Sequence, residues 1–158
     1  MNRPIIFPGT IIGHNSEASH EVLAILDSGA PYSIVPSFFI KDLGFRCLRN
    51  LDGSPRIARM VSASGRPRNK RIYEGAIKIN TVSGNCYAPI FATPMDKKFE
   101  KFINDHYQAP NVIYLGREFL AHFNFLWLIP GDSGYCYYFS IKNIPAQAAR
   151  TFLETVNP

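Results

Sequence analysis

Cysteine is sparse and poorly spaced in this chain: Cys47, Cys86 and Cys136 stand far apart, in an odd number and without a CxxC pair. That spacing excludes a disulfide framework and a clustered zinc site, so reduced, mostly buried thiols and no metal are the expectation. Long apolar runs are missing as well. Those present are short and broken by Gly, Pro or charge, and the opening residues, MNRPIIFPGT, lack both the apolar segment and the small-residue cleavage pattern of a secretory signal. A soluble protein is expected, cytoplasmic or otherwise intracellular, with no membrane partner. No internal repeat or low-complexity tract occurs, and with charged residues at only 18% the composition excludes disorder.

What is present is apolar. Hydrophobic residues at 46% and aromatics at 13% of 158 residues suffice for one substantial core, and the chain is too short for two. A single domain over 1–158 follows. The net charge of +5 would suit an acidic partner, yet the excess is concentrated in GRPRNKR (65–71). That run lacks aromatic interleaving or a binding motif, which argues against a nucleic-acid partner.

Short β-rich runs separated by turn residues place strands at 5–12, 21–27, 57–64, 71–80, 85–92, 111–115, 123–129 and 135–141. This pattern predicts an all-β closed barrel or sandwich with a few short helices. SGN (83–85) and PGDSG (130–134) carry turn chemistry between strands. Pro36 and Ser37 before FFIKDL, with Gly44 after it, predict a helix of two turns. MDKKFEKFINDHY (95–107) places Met95, Phe99, Phe102 and Ile103 on one face, as an amphipathic surface helix does. REFLAHF (117–123) and the tail 145–158 are further helix candidates.

The stretch LAILDSGAPYSIVP (23–36) carries an apolar strand straight into a carboxylate. An ionised Asp at the end of a core strand is costly unless it is paired or hydrogen-bonded, so Asp27 needs either a structural partner or a chemical use. The structural alternative is a turn Asp that accepts hydrogen bonds from its own loop.

Two segments together, Ile25-Leu26-Asp27-Ser28-Gly29-Ala30 with Ile34-Val35, and Val112-Ile113-Tyr114-Leu115-Gly116-Arg117-Glu118-Phe119-Leu120, resemble the two signatures of retropepsin-like aspartic proteases. That family covers retroviral and retrotransposon proteases and their single-domain cellular and bacterial relatives. The resemblance implies an acid-protease barrel of one lobe, an aspartic endopeptidase acting on protein or peptide substrates as a homodimer, and no cofactor. It implies that Asp27 is catalytic, one from each subunit activating a water. Ser28 would brace the active-site loops across the dimer, Gly29 and Ala30 would shape the loop beneath the substrate, and Gly116 would lie behind it. Arg117 is the implied dimer contact. Pro31 follows Ala30 where many retroviral members carry an acid, so Arg117 lacks that partner. MVSASGRP (60–67) is the candidate flap, with Ala63, Ser64 and Gly65 at its tip. A flap there would set the basic segment beside the cleft and favour acidic substrates. Residues 94–110 read as a helical insertion, and the chain from about 142 as an extension.

Three rival readings use other features. GDSG (131–134) resembles the nucleophile loop of chymotrypsin-like serine proteases, although Tyr135 stands where a glycine is expected; His14, His20, His106 and His122 offer bases. Pairing Asp27 with Asp132 would make a dyad within one chain. A catalytically silent dimerisation or peptide-binding module would use the cleft without the chemistry.

Overall fold

The computed structural model describes residues 5–61, 65–81, 84–131 and 134–141. In chain order the elements are β1 (Ile6–Ile12), β2 (Ser19–Leu26), β3 (Ser33–Val35), α1 (Ser37–Asp42), β4 (Arg46–Cys47), β5 (Ile57–Val61) and β6 (Pro67–Arg71). They continue with β7 (Tyr73–Thr81), β8 (Gly84–Pro94), α2 (Lys97–Tyr107), β9 (Val112–Leu115), α3 (Arg117–Leu120), β10 (Phe123–Gly131) and β11 (Gly134–Ile141). The expected mostly-β character holds. Neighbouring strands follow the order β1-β2-β9-β3-β8-β7, and a β1–β7 pairing closes the six into a barrel, with β4 added beyond β7. Closure leaves those six strands without an open edge between them, so their backbone donors and acceptors are used internally.

Alternation along each strand sends one set of side chains inward. Ile11, Ala24, Ile77, Ile90, Ile113 and Leu115, each 0% exposed, form the barrel core, capped by Phe39 and Leu43 of the α1 region and by Phe119 of α3. The helix α1 stops where Gly44 takes φ 64, a left-handed conformation that suits glycine at a helix end. A second cluster holds α2 to the barrel: Ile103 and Met95 pack with Ile25 and Val112, and Phe99 and Tyr107 lie against them. The amphipathic pattern of 95–107 therefore becomes a helix whose apolar face covers one side of the barrel.

One pairing sets the position of the site. Strands β2 and β9 run parallel, with Leu26 opposite Leu115. Both therefore end at the same place, and the loops that follow, Asp27 to Ala30 and Gly116-Arg117, leave the barrel side by side. The short β3 then inserts between β9 and β8, with Ile34 opposite Tyr114 on one side and Thr93 on the other.

The structure departs from the sequence expectations in several places. The basic segment is not a loop: Pro67–Arg71 is strand β6, paired antiparallel with β5 in a hairpin where Val61 meets Pro67 and Ile57 meets Arg71. The strand expected at 71–80 begins at Tyr73. Charged residues at consecutive positions hide the strand period, because β6 is exposed over almost its whole length and its pairing is made by the backbone. Strands β3 and β4 are too short to leave a period. The helix at 117–123 ends at Leu120, since Phe123 already opens β10. Cys47 and Cys86 are free, as expected, but only half-buried. The tail helix at 145–158 falls outside the described residues. No helix among the described residues is long and apolar enough to cross a membrane.

Candidate active site

Asp27 is the first residue past β2. Its N–H donates to the Leu115 carbonyl at 2.9 Å, continuing the β2–β9 ladder by one rung, and its carbonyl accepts from Ala30 N–H at 3.2 Å. The carboxylate turns back on its own loop, where Oδ1 accepts from Gly29 N–H at 2.9 Å. A Cβ at position 29 would stand 3.1 Å from that oxygen, so glycine lets the backbone donor approach the carboxylate closely. Ser28 and Gly29 are exposed while Ala30 is buried, so the loop is rooted at both ends and presents its tip outward.

The loop is braced from behind by residues 115–118. Arg117 N–H donates to the Ala30 carbonyl at 2.8 Å. Gly116 N–H donates to Ser33 Oγ at 3.1 Å. Ser33 in turn gives both its N–H, at 3.1 Å, and its hydroxyl to Glu118 Oε1. Gly116 is demanded by space: a Cβ there would lie 2.5 Å from the carbonyl carbon of Tyr32 and 2.6 Å from its oxygen. Burial pushes the Glu118 carboxyl above its ordinary value, opposed by the hydrogen bonds from Ser33 and from the backbone. Its Oε2 is buried and has no hydrogen-bond partner among the described residues.

Asp27 forms part of a cleft of about 240 Å³. Ile34, Thr93 and Met95 line it from the barrel, Met60, Val61, Arg68 and Lys70 from the β5–β6 hairpin, and Asp96 and Phe99 from the start of α2. Asp96 occupies the N-cap position of α2 without capping it by its side chain. The carboxylate faces the hairpin instead: Oδ1 lies 3.4 Å from both Arg68 Nη1 and Lys70 Nζ, and Lys70 Nζ also donates to the Pro94 carbonyl at 2.6 Å. Tyr114 stacks on Phe99 at 5.9 Å between ring centres. Its phenol is pushed up by burial first, then by Tyr107 and the charge of Asp27, which keeps the hydroxyl protonated.

Of the residues singled out in the sequence, Asp27, Ser28, Gly29, Ala30, Gly116 and Arg117 come together in two adjoining loops. Arg117 is exposed and has no ion pair among the described residues. Gly65 is exposed near the tip of the β5–β6 hairpin with φ 74. Ala63 and Ser64 lie outside the described residues, as do Asp132 and Ser133 of the GDSG turn. Among the described residues no group of 3 or more His, Cys, Asp and Glu side chains is placed to hold a metal ion. Sequence reasoning missed Ser33 and Glu118, the buried brace, and Asp96, the carboxylate that holds the hairpin. The available signal was Ser33 opening the apolar run Ser-Ile-Val, since a buried hydroxyl needs a partner. Compared with family models, with curated proteins and with solved structures, the chain shows no match to any of them.

Proposed function

We propose that this chain is an aspartic endopeptidase of the retropepsin-like kind, acting as a homodimer in which two Asp27 side chains, one per protomer, share a single catalytic water. The observation that carries the reading is the placement of Asp27. It is a carboxylate at the end of a core strand, held by Gly29 N–H, braced from 115–118 and facing a cleft long enough to seat a side chain. A turn Asp with only a structural role would not need the second layer of Ser33 and Glu118 behind it. The exposed loop tip, Ser28-Gly29, supplies the surface on which a second copy could bring its own Asp27 near, about a two-fold axis.

Chemically, two facing carboxylates cannot both ionise easily, so one keeps a proton. The ionised Asp27 takes a proton from water as its oxygen attacks the peptide carbonyl carbon, and the protonated Asp27 gives its proton to the carbonyl oxygen. Collapse of the resulting diol, with proton transfer to nitrogen, breaks the C–N bond and releases an acid and an amine. The β5–β6 hairpin, closing one side of the cleft, serves as the flap. The reading is tested by incubating wild type and Asp27→Asn with a peptide mixture: cleavage by the wild type alone supports it. A folded dimer that binds peptides but cleaves none would favour the silent module.

A further inference from the structure

The cleft beside Asp27 is apolar along its length and cationic at one wall. Ile34, Met60, Met95 and Phe99 give it a surface for a methylene stem. At the wall made by the hairpin, Arg68 and Lys70 share one carboxylate, Asp96, and both contacts are long, at 3.4 Å. Lys70 is the fixed member: its side chain is 16% exposed and donates to the Pro94 carbonyl at 2.6 Å. Arg68 is the available member, with 59% of its side chain exposed. Asp27, the other carboxylate of the cleft, makes no ion pair with either cation among the described residues. One anion for two cations leaves this wall with positive charge to offer, and a guanidinium can hold Asp96 and a second carboxylate together.

We infer that this cleft is a specificity pocket for an acidic substrate side chain of glutamate length, with the stem on Ile34, Met60 and Met95 and the carboxylate received by Arg68 beside Lys70. The inference rests on the peptidase reading for its substrate class, but the charge preference belongs to the pocket and is readable without turnover. A carboxylate at the end of a peptide would offer the same chemistry, so the test uses peptides capped at both ends.

The experiment takes a set of capped peptides identical except for Glu, Gln, Leu or Lys at one position, scanned through each position in turn. It measures kcat/KM with the wild-type protein and equilibrium binding with Asp27→Asn. At one position we expect Glu to exceed Gln by about fivefold and Lys by more, the range that partly exposed ion pairs reach, with the advantage shrinking as salt is raised. Arg68→Glu should invert the Glu to Lys order, Arg68→Met should abolish it, and Arg68→Lys should retain part of it; the Met and Lys variants decide the matter if charge reversal disturbs folding. Cleavage that depends on Asp27 but shows no Glu preference at any position overturns the pocket and leaves the peptidase reading standing. Glu-selective binding without cleavage by any variant supports the pocket and sinks the peptidase reading. An unchanged Glu to Gln ratio in Arg68→Met overturns the inference.

Discussion

Ser33 and Glu118 show how much of the site depends on side chains that never reach the cleft. The Ser33 hydroxyl accepts from Gly116 N–H and donates to Glu118, so Ser33→Ala strands a buried donor on one side and an acceptor on the other. Leaving such groups unsatisfied costs about 2 kcal/mol, and we expect that loss in urea unfolding of Ser33→Ala. Gly116→Ala would drive a methyl into the Tyr32 carbonyl, which stands 2.5 Å from the required position. Because both partners are backbone, neither side can give, and a destabilisation of about 2 kcal/mol or more is expected from the same measurement.

Glu118 also makes stability depend on pH, and the sign follows from the direction of its shift. Burial holds its carboxyl above the ordinary 4.5, so the folded state binds the proton more tightly than the unfolded chain does. Its contribution is fully present below pH 4.5 and is lost as pH rises through the raised folded value. Glu118→Gln keeps an acceptor for Ser33 and has nothing to titrate. Unfolding free energies of the two proteins measured across this range should diverge as pH rises, with the wild type falling relative to the variant. Parallel curves would contradict the assignment.

Among the elements, α2 and the β5–β6 hairpin form two walls of the cleft and are joined through Asp96. The helix is secured by burial: Ile103, 1% exposed, packs with Met95, Ile25 and Val112. Truncation to Ala should cost about 2 to 4 kcal/mol. The hairpin is held more lightly, by Ala58, Met60 and Ile72 beneath it and by the partly exposed contacts of Arg68 and Lys70 with Asp96. In Asp96→Ala we expect amide exchange across 57–71 to speed up severalfold while the barrel strands keep their protection, as befits contacts of this exposure.

These elements also mark what could be read from the sequence. Strands β1, β2, β8 and β9 and helices α1 and α2 were legible because their apolar residues recur at the period of the element. The hairpin's return strand was not, because Arg68, Asn69, Lys70 and Arg71 leave no alternation. The juxtaposition of Asp27 with Gly116 was visible only through a resemblance to a family. Its physical cause, the parallel register of Leu26 with Leu115, is a long-range pairing that no local pattern encodes. The brace of Ser33 and Glu118 was invisible for the same reason.

At the scale of the whole molecule, one barrel offers one Asp27 loop, and the proposed chemistry needs two. Activity should therefore depend on association: on dilution, specific activity should fall along the dimer dissociation curve measured by sedimentation. Mixing wild type with excess Asp27→Asn should suppress turnover, because mixed dimers lack one of the two carboxylates. The measurement that tests the central claim most directly is cleavage of an unbiased peptide mixture from about pH 3 to 7, the range over which a carboxylate pair can share one proton, by wild type and Asp27→Asn at matched concentration. The proposal predicts cleavage by the wild type that peaks below neutral and is abolished by the substitution. Cleavage that persists in Asp27→Asn, or a folded wild-type dimer that cleaves nothing, would contradict it.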